Sequence, residues 1–334
     1  MAKTIPTIGI FLSTRSVDGG MFQYSKFVVE ALNSLSKNGT INLKVAYLHR
    51  DWSSILGDEF DSVCKLKFGL WGMAWSMLLL GLMVPGDMSR KYLSRLNPLY
   101  YQLKNLQCDV WVYPAQDLFS YQMPFKCLST IHDLMHRYER HFPELGGGLR
   151  YYLREHRFRN LALHSSGILV DADIGKRHVV DAYNIDIEKI HTLPFLPQTE
   201  LKTSKEENEK VLEKLSIPLN YIFYPAQFWP HKNHQALLNA SASVVNKCKD
   251  FNLVLTGSFA NEYSNLVRYS EEIGLGSRVH FVGHVSDIEL SVLYRNATAM
   301  VMPTFSGPTN IPPLDANQYG CPVAVSNNYG MPEQ

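Results

Sequence analysis

The chain has 334 residues, 46% hydrophobic and 19% charged, long enough for two cores of ordinary domain size. Its 32 basic and 31 acidic side chains leave a net charge of +1, and totals from which no basic face emerges argue against a nucleic-acid protein. Five cysteines (Cys64, Cys108, Cys127, Cys248, Cys321) without CxxC spacing exclude a zinc ribbon or a disulfide frame and suit a reducing compartment.

The opening MAKTIPTIGIFLSTRSVDGG has a basic residue and an apolar run but no small-residue cleavage site, so it reads as a first strand. The expected order is a strand over residues 7–13, a Gly19-Gly20 turn, and a helix over 23–36 with Phe27, Val28, Ala31, Leu32 and Leu35 on its apolar side. Two glycines after a first strand free the backbone to pass close to a bound phosphate, although a bare Gly-Gly is also an ordinary turn. Further strands are expected at 42–48, 110–113, 127–131 and 167–170, alternating with helical segments as in a mostly parallel sheet.

The longest apolar run, FGLWGMAWSMLLLGLMV at 68–84, is at the lower limit for crossing a bilayer, which takes ~20 apolar residues. Lys65 and Lys67 before it, Arg90 and Lys91 after it, and two tryptophans suit a helix lying in a membrane interface. A buried helix is the alternative. His132 follows the run CLSTI at a strand end, where an imidazole can donate to sugar hydroxyls or to a leaving phosphate; alternatively Asp133 caps the next turn and His132 bonds the scaffold. HDLMH also spaces His132 and His136 four apart, but a metal site needs a helix through His132 and a third ligand. Residues 193–198, with Pro194 and Pro197, and the charged run LKTSKEENEKVLEKL mark a hinge. The expected division is 1–197, a linker and start of the second domain over 198–219, and 220–334.

The strand-helix rhythm restarts at Asn220. YIFYPAQFWPHKNHQALLNA at 221–240 reads as a strand, a tight polar turn and a helix with Lys232 at its threshold, and FNLVLTGS at 251–258 as another strand and glycine turn. MVMPTFSGPTNIPPLDA at 300–316 repeats the pattern. There Gly307, Thr309, Asn310 and Ile311 let backbone N–H groups approach an anion, Pro312 suits an early helical position, and Asp315 is within reach of a ribose hydroxyl pair. Pro and an acid at a helix start are also ordinary helix-start chemistry. In open α/β sheets ligands collect at the carboxyl ends of strands, so these turns are expected to share one pocket.

The segments PAQFWPHKNH, LTGS, RVHFVGHVSDIELSVLYRNATAMVMPTFSGPTNIPPLDA and GCPVAVSNNYGMPEQ resemble the retaining glycosyltransferases of family 4, which have the GT-B fold. The resemblance implies two doubly wound, Rossmann-like α/β domains facing a cleft, the first on the acceptor side and the second, which stops at Gln334, lacking its last strand-helix units. The family's pair of glutamates falls on Gly307, where the carboxylate is missing, and on Asp315. Its basic pair falls on Gln227 and Lys232. IHDLMHRYERHFPE matches the family's histidine motif at His132, and Gly19 and Gly20 match its donor-side loop.

The expected activity is transfer of a hexose, with retention and without a metal or other cofactor, from a nucleoside diphosphate sugar to a hydroxyl of a polysaccharide or lipid-linked glycan. His132 and Lys232 are the catalytic residues of that reading; Gly19, Gly20, Gln227, Gly307, Thr309, Asn310, Ile311 and Asp315 join Lys232 in binding the donor. A cytoplasmic protein touching the inner face of a membrane, with no nucleic-acid partner, fits the same expectation. The alternative is a catalytically weak, nucleotide-sugar-binding partner in a glycan-assembly complex.

Overall fold

The computed structural model describes residues 5–197, 200–307 and 309–334. The chain divides into two units, the first running to His141 and resuming over Leu145–Pro194, the second made of Phe142–Glu144 and Phe195–Gln334. Residues 1–4, the last residue of the expected 193–198 hinge (Gln198) and Pro308 of the Gly-Pro-Thr-Asn loop lie outside the described residues.

The first unit is built on a parallel sheet in the order β3-β2-β1-β4-β5-β6-β7. Its strands are β1 (Thr7–Leu12), β2 (Asn42–Tyr47), β3 (Val63–Lys65), β4 (Val110–Tyr113), β5 (Cys127–Thr130), β6 (Gly167–Val170) and β7 (Ile190–Thr192). Strand β1 pairs with β2, Thr7 against Asn42 through Leu12 against Tyr47, and on its other edge with β4. The order therefore reverses beside β1. Strands covered on both faces read as unbroken apolar runs, and all four residues of β6, GILV, are buried. The crossovers include helices α1 (Gly20–Lys37), α2 (Leu70–Gly81), α3 (Pro98–Asn105), α4 (Leu149–His164) and α5 (Asp173–Tyr183). Helix α3 starts where its sequence demands, with the Asn97 side chain accepting from Leu99 N and Pro98 at the first position, where no N–H is needed. Phe11, Trp111, Tyr113 and Phe119 fill one side of the sheet; Ile131, Phe158, Leu161 and Ile190 fill another cluster.

Two local expectations are corrected. Gly20 opens α1 instead of completing a turn, so the helix starts three residues early; its buried residues are Phe22, Tyr24, Ser25, Val28, Val29 and Asn33, and of the expected apolar side Val28 is buried, Phe27 and Leu32 are half-buried, and Ala31 and Leu35 are exposed. The apolar run at 68–84 supplies only the 12 residues of α2, ended by Met83 in the left-handed region at φ 50°. No helix among the described residues is long and apolar enough to cross a membrane.

The second unit repeats the plan with a parallel sheet in the order β10-β9-β8-β11-β12. These are β8 (Ile222–Pro225), β9 (Leu253–Thr256), β10 (Val279–Gly283), β11 (Ala299–Met302) and β12 (Val323–Val325). Its longer helices are α6 (Lys205–Lys214), α7 (His234–Val245), α8 (Tyr263–Glu272), α9 (Asp287–Asn296) and α10 (Ile311–Gln318). The charged run expected as linker is mostly α6, started by a reciprocal cap in which Ser204 Oγ accepts from Glu207 N and Glu207 accepts from Ser204 N. Strand β8 pairs with both β9 and β11, so the loops leaving β8 and β11 are neighbours at the point where strand order reverses.

Candidate functional site

The site begins with those two loops. After β8 the chain turns through Pro230–Lys232 to Asn233, which at φ 59° and ψ 37° is left-handed and swings the backbone into α7. The loop is stitched to the one after β11: His231 O accepts from Phe305 N at 2.9 Å and Thr304 Oγ1 at 3.2 Å, and Asn233 Nδ2 donates to Pro303 O at 3.0 Å. Lys232 Nζ donates to Asn310 Oδ1 at 2.9 Å. Two residues 78 apart in sequence, each singled out for a strand-end loop, thus meet directly. Behind them His234 is buried against Tyr224 and Phe228, and burial together with the nearby Lys232 and His231 pushes its pKa down to about 3. It is neutral at physiological pH. The Lys232 ammonium therefore stands beside an uncharged ring.

Gln227 turns elsewhere, its Oε1 accepting from Ser258 N at 3.1 Å and from Ser258 Oγ. That contact ties the β8 loop to the one after β9. Gly257 permits the approach, since a Cβ there would lie 2.6 Å from Ala226 O. His231 donates its backbone N–H and Nδ1–H to Glu144 Oε1 at 3.1 and 2.8 Å. Burial opposes ionisation of Glu144, but these bonds hold its carboxyl below the usual range.

Gly307 lies at φ +115°, and a Cβ there would meet Asn310 Nδ2 at 2.8 Å. The side chain missing at this position has neither a relaxed backbone nor space. Thr309 Oγ1 is buried without a hydrogen-bond partner among the described residues. The start of α10 offers fewer donors than its sequence suggests. Of the four N–H groups a helix start leaves unbonded, Asn310's donates to Gln334 Oε1 at 2.9 Å, and Pro312 and Pro313 have none, which leaves Ile311's. Asp315 is buried on α10 beside Pro313 and Ala316.

Gly19, Gly20 and His132 belong to the first unit. Gly19 adopts φ 59° and ψ −120°, a region open to glycine, and a Cβ there would meet nothing within 4 Å. His132 is buried and held on both ring nitrogens: Nδ1 lies 3.0 and 3.1 Å from the Asp171 carboxylate oxygens and Nε2 3.0 Å from Pro114 O. Tyr24 meets the ring edge-on at 4.8 Å. Burial disfavours the imidazolium, but Asp171 outweighs it and His132 sits above its ordinary pKa, while burial raises the Asp171 carboxyl. His136 turns to a different acid, Glu155, at 3.2 Å.

Sequence reasoning missed the rest of this polar edge. Ser13 after β1, Asp117 after β4, His132 after β5 and Asp171 after β6 follow consecutive strands of the sheet. Ser13 Oγ donates to Asp117 Oδ1, whereas Asp117 Oδ2 is buried without a hydrogen-bond partner among the described residues. Burial pushes the Asp117 carboxyl up to about 7, against the opposing pull of Ser13, Arg157 and His132. The available signal was an acid at the end of an apolar strand, ILVD for Asp171 and VYPAQD for Asp117.

Residues 205–334 match the model of the family described as glycosyl transferases group 1. That region is a group 1 glycosyltransferase domain. It contains both stitched loops. The chain is similar to the O-antigen chain mannosyltransferase RfbU of Salmonella typhimurium, 28% identical over 153 residues, covering 46% of this chain and 39% of that protein. It is also similar to the O-antigen chain mannosyltransferase B of Escherichia coli, 26% identical over 185 residues, covering 53% of this chain and 49% of the relative. The matches thus span less than half the length of these curated relatives. Among solved structures, Anabaena Alr3699/HepE in complex with UDP and glucose superposes with a TM-score of 0.64 at 16% identity, covering 97% of this chain and 81% of that one. At that identity the likeness concerns the fold, which is GT-B, with the group 1 glycosyltransferase domain as its second unit.

Proposed function

We propose that the protein transfers a hexose from a nucleoside diphosphate sugar to a hydroxyl of a polysaccharide or lipid-linked glycan, with retention at the anomeric carbon. The observation that carries this reading is the Lys232 Nζ to Asn310 Oδ1 contact, which joins the two strand-end loops at the reversal of strand order. As the glycosidic bond breaks, negative charge builds on the leaving diphosphate. Lys232 supplies a cation there, Ile311 N–H and the positive end of α10 add partial charge, and neutral His234 takes none of the ammonium's field. In this reading Asp315 holds the ribose, and Thr309 and Asn310 approach the donor through their short polar side chains. The retaining step uses attack on the face the phosphate leaves, so no carboxylate nucleophile is required. Mannose and glucose donors are the first to try, because two of the relatives are named mannosyltransferases and the HepE structure holds UDP and glucose.

A second reading, a donor-binding protein with weak catalysis, is favoured by the absent carboxylate at Gly307 and by the donor-poor start of α10. A panel of UDP-, GDP- and dTDP-hexoses, each followed for binding and for sugar release or transfer, separates the two. Turnover of one donor to a product that keeps that donor's anomeric configuration supports the first. Binding without turnover supports the second, and failure to bind any donor overturns both.

A further inference from the structure

Helix α2 divides into two faces. Gly72, Ser76, Leu79 and Leu80 are buried, while Leu70 (92% exposed), Trp71 (62%), Met73, Met77 and Leu78 point outward, and Leu82 (68%) continues the outer face past the helix end. The helix carries no charged residue. It is fastened from beneath: Asn97 Nδ2 donates to Gly72 O and Ser76 Oγ, and Gly72 is small because a Cβ would strike Phe68 and Asn97. Trp71 and Trp75 stack at 6.0 Å, their indole N–H groups donating to Leu96 O and Leu93 O. Exposed Tyr92 and Leu96 extend the apolar surface along that supporting segment. The outer face is therefore held rigid and left bare.

Charge in the segment that carries the patch is mostly of one sign. Between Ser62 and Cys108 stand Lys65, Lys67, Arg90, Lys91, Arg95 and Lys104 against the single acid Asp87, in a chain whose totals nearly cancel. Lys65, Lys67, Lys91 and Arg95 are exposed. Arg90 is engaged inward on Ser120 O and Phe125 O, while Asp87 stays 94% exposed, 3.6 Å from a His164 whose pKa is lowered by burial. An apolar stripe with tryptophans, flanked in sequence by exposed cations, matches the acyl boundary of a bilayer whose headgroups are anionic. At 12 residues, about 18 Å long, the helix is too short to cross the ~30 Å hydrocarbon core.

We propose that this face of the first unit docks on an anionic lipid bilayer, with α2 lying in the plane of the interface and Lys65, Lys67, Lys91 and Arg95 over the headgroups. The surface lies wholly in the first unit and stands whether or not the donor reading holds. The test is flotation of the whole protein with vesicles of phosphatidylglycerol and phosphatidylethanolamine, against pure phosphatidylcholine, at low and high salt. The wild type should float with the anionic vesicles and be released by salt. Leu70→Ser/Trp71→Ser/Met77→Ser, with unchanged circular dichroism, should lower the bound fraction at least tenfold. Lys65→Glu and Lys67→Glu, which leave the apolar face intact, should each weaken anionic binding about fivefold or more, as expected for a cation near such a surface. Wild type that does not float overturns the proposal, as does full binding by the folded apolar variant. A stable dimer abolished by the same serines, without vesicle binding, assigns the face to a second copy and also overturns it.

Discussion

Asp117→Asn isolates one buried group whose stability contribution has a calculable sign. Asp117 is 9% exposed, receives one hydrogen bond from Ser13, and has its carboxyl raised to about 7 by burial. An unfolded aspartate titrates near ~3.9, so between about pH 4 and 7 the folded chain keeps a proton that the unfolded chain has lost. A raised folded pKa gives stability that is complete below the unfolded value and disappears as pH climbs through the folded one. At about 1.4 kcal/mol per pKa unit, the wild type loses roughly 4 kcal/mol across that window, about 3 of them between pH 5 and 8. Asparagine keeps the Ser13 contact and stays neutral throughout. Its urea midpoint relative to wild type, followed by circular dichroism, should change little at pH 4 and rise clearly at pH 8. Other titrating groups are common to both proteins and cancel in the difference. A gap between variant and wild type that is the same at pH 5 and pH 8 would refute the reasoning, because it would mean that Asp117 is already ionised in the folded chain.

Lys232→Ala should lower transfer about 30-fold to 1,000-fold in kcat/KM, the ~2 to 4 kcal/mol given by loss of a charge aimed at the transition state; steady-state kinetics on the best donor checks this. Gly257→Ala puts a methyl 2.6 Å from Ala226 O, a backbone atom that cannot swing aside. It should destabilise the second unit by about 1 to 3 kcal/mol in chemical denaturation, and weaken donor binding by shifting Gln227. His132→Ala strips the partner from buried Asp171, so the folded state should weaken by about 3 kcal/mol, and adding Asp171→Asn should restore most of it. Only in the restored double variant does a remaining loss of transfer speak for a chemical role of His132.

The central strands of both sheets were legible because parallel strands buried on two faces announce themselves, as GILV and LVLT do, and because strand-end loops carry glycine and short polar residues; the outer strands β3, β7, β10 and β12, shorter or less buried, were not named. Lys232 and Asn310 were singled out by that route, and only the structure joins them, 78 residues apart. Legibility failed where the answer lies in space or in backbone angle. Asp171 is 39 residues from His132, and no local pattern pairs them. Gly307 reads in sequence as a lost carboxylate, while its φ of +115° shows a backbone that does not suit a side chain. The face of α1 was assigned only in part: Val28 is buried and Phe27 and Leu32 half-buried, but Ala31 and Leu35 are exposed, and polar Tyr24, Ser25 and Asn33, which an apolar count passes over, share the buried side with Phe22 and Val29. The α2 run was too ambiguous in sequence to be told apart as buried or interfacial, since a bare apolar face and a core face share one composition.

The central claim is that the loops joined by Lys232 and Asn310 recognise a diphosphate. Titration calorimetry of UDP and GDP, each set against its parent nucleoside, measures that recognition without needing the acceptor or the sugar. The account predicts that one nucleoside diphosphate binds at least 30-fold more tightly than its nucleoside, and that Lys232→Ala removes most of the difference while leaving nucleoside binding unchanged. Equal affinity for diphosphate and nucleoside in the wild type, or a preference that survives in a folded Lys232→Ala protein, would contradict it.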